Sequence, residues 1–145
     1  MMVVPTYLGP SLIEGVGLFA AAPIVAGTLI WRLADGLDVL LTEADIARMP
    51  ALQRKFVERY GYPHMQREGL IVLEFDNGRF MNHCDLPNTD FRDAEQGWAT
   101  RDIAVGEELT CDYSEFDPSF VLQPSLDKAL WHATSLARAF DAIVN

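Results

Sequence analysis

Basic residues are scarce in this chain of 145 residues: 11 Lys and Arg stand against 21 Asp and Glu, giving a net charge of −10. A protein that tracks a phosphate backbone needs the opposite sign, so the balance argues against direct nucleic-acid binding and favours a basic partner. Cysteine is scarcer still. Cys84 and Cys111 are the only two, too few for a four-cysteine zinc site, and no metal centre is expected. Long apolar runs are missing as well. The longest uncharged stretch, Gly15 to Trp31, has 17 residues and is broken by Gly17, Pro23 and Gly27. A membrane-spanning helix wants about 20 apolar residues. No Lys or Arg precedes that stretch, whereas a secretory leader starts basic. A soluble, cytoplasmic protein is the expectation. Repeats, low-complexity tracts and linker-like runs are also absent, so residues 1–145 read as one domain.

What is present is core material: 50% of residues are apolar and 10% aromatic, enough to fold and too much for disorder. Residues 12–33 read as strand segments broken by turns, one break at Gly15-Val16-Gly17 and another between Pro23 and Gly27. Thr42-Glu43-Ala44-Asp45 resembles a capping box. Pro50 then ends that helix or starts a second one running to Tyr60, with Leu52, Phe56 and Tyr60 on one face. Leu70 to Phe75 reads as a strand followed by a tight turn at Asp76-Asn77-Gly78. Two further strands, Gly97 to Ile103 and Glu108 to Asp112, are predicted to pair through a turn at Val105-Gly106. From Ser125 the apolar residues recur at helical spacing, so 118–145 is predicted to form a helical extension. The class is α+β, mostly β.

Three segments carry chemistry. Gly15-Val16-Gly17-Leu18-Phe19 offers backbone that can approach a ligand closely. Arg79-Phe80-Met81-Asn82-His83-Cys84-Asp85-Leu86-Pro87-Asn88 concentrates donors and acceptors suited to a polar small molecule. Gly106-Glu107-Glu108-Leu109-Thr110-Cys111-Asp112-Tyr113 ends a strand in a phenol that can donate into a cleft.

In this order and spacing, the three segments resemble the signature of SET-domain protein-lysine methyltransferases, over roughly residues 8 to 117. The resemblance implies a fold of several small twisted sheets, a β-clip, with a knot-like crossing that brings the C-terminal segment under Asn82-His83. It implies S-adenosylmethionine as cofactor, held by the backbone around Gly15, Val16, Gly17 and Leu18 and by Arg79, Phe80, Asn82 and His83. Tyr113 matches the family's catalytic tyrosine and also faces the cofactor. A lysine of a protein substrate would enter a narrow channel beside it. Between Asp85 and Asp117 ten acidic residues face two arginines, which suits a basic segment such as a histone tail or a ribosomal extension. A histone-like substrate would imply a nuclear or nucleoid setting.

The pattern departs from the family in several places, first at Cys84, where the family often has Ser, and at Asp85, where it often has Cys. Cys111 stands where many members carry Phe or Tyr, and its smaller size predicts room for an already methylated amine. The zinc-binding cysteines that follow the domain in many members are missing, leaving Phe116, Phe120 and Trp131 as candidates to wall the site, or a second copy of the chain in a homodimer. The family's further channel tyrosine has no clean match; Tyr60 and Tyr62 are the options, and Tyr60 is the channel residue assigned together with Cys111 and Phe116. The alternative function is an inactive module that binds S-adenosylmethionine or a basic peptide. A cysteine hydrolase is disfavoured, because His83 and Cys84 are chain neighbours and point apart.

Overall fold

The computed structural model describes residues 1–117. In chain order it contains β1 (Thr6–Pro10), β2 (Val16–Ala20), β3 (Leu29–Arg32) and β4 (Val39–Thr42). Then come α1 (Glu43–Arg48), α2 (Ala51–Tyr60), β5 (Gly61–Pro63) and β6 (Leu70–Leu73). A 3-10 helix, Asn77–Phe80, leads into β7 (Asn82–His83), followed by β8 (Thr89–Asp93), β9 (Gln96–Ala99) and β10 (Glu108–Cys111). A second 3-10 turn, Tyr113–Glu115, follows directly.

Three small sheets result, ordered β1-β2-β10-β7, β3-β9-β8 and β4-β6-β5. β1 and β2 are antiparallel, and their connection closes through Ser11 N–H donating to Gly15 O at 3.0 Å. Gly15 turns the chain at φ +50°, a conformation that costs a side-chain-bearing residue but not glycine. The first two sheets face each other over the main core, where Leu18, Ile30, Trp31, Ile103 and Leu109 are 0–1% exposed. A smaller core of Leu41, Val57 and Leu73 joins α2 to the third sheet. The predicted α+β, mostly β architecture of several small sheets is therefore present.

Local predictions fare unevenly. The capping box opens α1 as read: Thr42 Oγ1 accepts from Asp45 N–H, and Asp45 accepts from Thr42 N–H. α2 begins after Pro50, but its buried residue is Val57. Leu52 is exposed and Phe56 only stacks on Tyr60, centroids 4.9 Å apart. Gly17 lies inside β2 rather than in a break. The tight turn at Asp76-Asn77-Gly78 takes the form of a 3-10 helix, opened by Asp76 accepting from Gly78 N–H at 3.0 Å. The segments around 97–103 and 108–112 do not pair with each other. β9 forms a tight hairpin with β8 and pairs on its other edge with β3, while β10 lies between β2 and β7. The predicted C-terminal helix, Phe120 and Trp131 lie outside the described residues.

Candidate active site

The two motif segments meet through a parallel pairing. β7 and β10 run side by side with Thr110 opposite Asn82 and Cys111 opposite His83. Parallel neighbours need a long connection, which is why residues distant in the chain converge here. The buried side chain of Asn88 fixes the loop between them: its Oδ1 accepts from Thr110 N–H at 2.9 Å, and its Nδ2 donates to Glu108 O at 2.8 Å. The chain leaving β10 then folds against 81–83. The Tyr113 hydroxyl donates to Met81 O at 2.9 Å, and Tyr113 N–H donates to His83 Nδ1 at 3.1 Å. With Nδ1 accepting, the neutral imidazole carries its proton on Nε2, 3.1 Å from Asp85 Oδ1. Burial raises the Tyr113 phenol far above neutral pH, so it acts as a donor and not as a base.

Asn82 ties the Gly15-Val16-Gly17 segment to this junction. Its Nδ2 reaches Glu108 Oε1 at 2.8 Å, Glu14 O at 3.1 Å and Val16 O at 3.3 Å. Ser11 Oγ donates to the other oxygen of Glu108 at 2.9 Å. Gly17 makes this possible, because a Cβ there would stand 2.2 Å from Glu108 Oε1. The amide nitrogen of Asn82 is therefore spent within the protein, and Oδ1 is the atom it can offer to an amine. Sequence reasoning missed Ser11 and Glu14 in this network; neither belongs to a repeated spacing.

Two cavities flank Tyr113. The smaller, about 210 Å³, is lined by Gly15, Val16, Arg79, Phe80, Asn82 and Tyr113 from the predicted set, joined by Glu14, Arg59 and Tyr60. Gly17, Leu18 and His83 do not line it. Gly17 faces Glu108, Leu18 is fully buried between β1 and β10, and His83 contributes through Tyr113 N–H. The larger cavity, about 460 Å³, is lined by Tyr113, Cys111 and Phe116 as predicted, and by Tyr62, Glu74, Met81 and Trp31. Tyr60 lines both cavities.

Tyr62 is the tyrosine whose hydroxyl enters the larger cavity's polar network. It donates to Glu74 Oε1 at 2.8 Å, and its ring packs on Phe116 at 4.8 Å. Spacing alone could not separate it from Tyr60, since the two flank the end of α2. Glu74 was legible in one respect: it is the single charge in the apolar run Leu70 to Phe75. It is 6% exposed, and burial pushes its carboxyl up to about 7, against the pull of the Tyr62 hydrogen bond. The Cys111 thiol is likewise pushed well up, first by burial and then by Glu74. Arg79 stacks over Phe80 at 4.8 Å and donates to Phe75 O at 3.0 Å.

The acidic run from Asp85 to Asp117 is only partly free. Asp90 pairs with Arg92, Glu107 with Arg101, and Glu95 with Arg67. Glu115 accepts from Phe91 N–H, and Asp102 from Ala26 N–H. Among the described residues no group of three or more His, Cys, Asp and Glu is placed to hold a metal ion, and no helix is long and apolar enough to cross a membrane.

Comparison with known proteins bears on the fold and the family. Among solved structures, a humanized mutant of the Chaetomium thermophilum polycomb repressive complex 2 bound to an inhibitor is 25% identical, TM-score 0.59, covering 88% of this chain and 16% of that one. The same complex in an autoinhibited conformation bound to S-adenosylmethionine is 24% identical, TM-score 0.59, covering 91% and 17%. A Plasmodium falciparum histone-methyltransferase candidate is 19% identical, TM-score 0.53, covering 76% and 93%. The chain thus spans about a sixth of the polycomb chains it matches. No curated protein sequence matches it. The family model described as SET domain matches residues 15–114, and the chain belongs to the SET-domain family.

Proposed function

We propose that this protein transfers methyl groups from S-adenosylmethionine to a lysine side chain of a protein segment. The observation that carries the reading is Tyr113: it lines both cavities, with its hydroxyl anchored on Met81 O. The smaller cavity suits the cofactor. Its wall combines backbone at Gly15 and Val16, the Asn82 amide, and Arg79, whose Nε is buried with no hydrogen-bond partner among the described residues. Such an orphaned cationic donor fits a carboxylate such as that of a bound amino acid.

When bound, the cofactor supplies a methyl group activated by a sulfonium. The protein's own task is to present a neutral, aligned amine. A free lysine has a pKa of about 10.4 and is almost wholly protonated at neutral pH. Phe116, Tyr62, Cys111 and Met81 line the larger cavity and displace water from an entering side chain, which lowers that pKa. Tyr113, held as a donor, orients the acceptor side of the junction, and fixed geometry removes entropy from the displacement. A net charge of −10 draws a basic segment toward the protein.

The test is transfer of labelled methyl from S-adenosylmethionine to histones and to a cell lysate, by native protein and by Tyr113→Phe. Label on lysine should fall at least about tenfold in the variant, by more than any loss of cofactor binding that calorimetry shows. Cofactor binding without transfer by the native protein would instead identify a binding module, and no binding at all would sink both readings.

A further inference from the structure

Glu74 has no part in the cofactor cavity, yet it is the buried carboxylate of the larger one. It directly follows β6 and is 6% exposed, with Oε1 accepting from the Tyr62 hydroxyl at 2.8 Å. Its other oxygen, Oε2, is buried without a partner among the described residues. The residue opposite Oε2 is Gly78, where an added Cβ would lie 2.2 Å away, so a bare backbone makes the space the carboxylate occupies. Met81, Phe91 and Phe116 supply apolar wall beside it, while Arg59 and Arg79, with Glu14, Glu58 and Asp117, also line this cavity. A buried carboxylate with one oxygen unpartnered costs stability that the Tyr62 hydrogen bond and the Met1 ammonium offset only in part. Its natural partner is a cation that comes and goes.

We propose that Glu74 is the proton acceptor for the lysine that enters this cavity, a role that rests on the methyltransferase reading of the site. The lysine ammonium gives one proton to the Glu74 carboxylate, breaking an N–H bond and forming an O–H bond. The freed nitrogen lone pair forms the new N–C bond as the methyl donor's C–S bond breaks, its electron pair staying on sulfur. The product is a methylated ammonium, and the Glu74 proton returns to water after the product leaves. Burial moves the two partners toward each other: it lowers the amine and raises the carboxyl, so the proton passes between groups of similar affinity and leaves a neutral pair.

The groups around Glu74 set where it titrates. Tyr62 holds it down by hydrogen bonding, and the Met1 ammonium does so by charge. Asp76 and Asp38 push it up, and Cys111 faces it from β10.

Two measurements test this together. In the native protein, the rate constant kcat/KM for a lysine peptide cut from the labelled protein should rise through an apparent pKa near that of Glu74 and then level. In Glu74→Gln it should be at least about tenfold lower at pH 8 and climb roughly tenfold per pH unit toward pH 10, following the free amine alone. Independently of activity, a carbon-13 carboxyl resonance missing from Glu74→Gln should titrate near neutral pH in the native protein. In Tyr62→Phe, which keeps the carboxylate but removes its donor, that midpoint and the limb of the rate profile should both move up. Superimposable profiles for native and Glu74→Gln, or a carboxyl that titrates below pH 5, would overturn the role while leaving the methyltransferase standing. A native protein that transfers no methyl to any lysine overturns both.

Discussion

Gly15 and Gly17 sit two residues apart and are needed for unrelated reasons. At Gly15 the space is open, but φ is +50°, so an alanine would strain the backbone by about 1 kcal/mol. At Gly17 the backbone is ordinary strand, and the obstacle is the Glu108 carboxylate. Gly17→Ala must push Glu108 aside, breaking its bonds to both Asn82 and Ser11 and leaving a part-buried charge unsatisfied. The expected loss is about 2–3 kcal/mol in urea denaturation, with weakened S-adenosylmethionine binding because Asn82 no longer anchors Val16. Gly15→Ala should cost less and leave the Glu108 network standing. Equal penalties at the two positions would contradict this division of roles.

At the scale of elements, α1 is six residues long and buries no side chain completely, so its ends decide whether it forms. Thr42→Ala removes the hydroxyl that accepts from Asp45 N–H at 3.1 Å and should cost about 1 kcal/mol, seen as faster amide exchange in 43–48 with little change in methyl transfer. Features of this kind are legible in a sequence because cause and effect lie within four residues: the capping box, the helix start after Pro50 and the strand from Leu70 all stand where local chemistry puts them. Pairing is another matter. β9 and β10 are consecutive strands, and reading them as a hairpin was the economical inference. β9 instead forms a local hairpin with β8, and the remaining partners, β3 for β9 and β2 and β7 for β10, are selected by the global packing. The site divides the same way. Tyr113, Asn82 and Arg79 were readable as motif positions, whereas the choice of Tyr62 over Tyr60 for the Glu74 hydrogen bond depends on where α2 stops and β5 turns into the third sheet.

For the molecule as a whole, charge is spent more internally than its total suggests. Much of the acidic run is consumed by arginine pairs and by backbone N–H groups, so the charges open to a basic segment are fewer than the sequence count implies. Against that exposed, solvent-screened background, Glu74 is a buried carboxylate whose burial makes folding depend on pH. Its proton is held more tightly in the folded state, near pH 7, than in the unfolded chain, where the carboxyl returns to its ordinary value of 4.5. The folded-state preference is complete below the unfolded value, fades as pH rises through about 7, and leaves a buried charge above that. Glutamine cannot ionise, so Glu74→Gln removes only the pH-dependent part of this cost. The stability of the variant relative to native protein should therefore grow between pH 4.5 and 7 by roughly 3 kcal/mol and stay level above, in urea denaturation at matched ionic strength. A gap that stays constant from pH 4 to 8 would mean that water or a counter-charge satisfies Glu74 in the folded protein. A gap that opens as described would show a carboxylate retained in the cavity wall at the expense of stability, as a group kept for chemistry is.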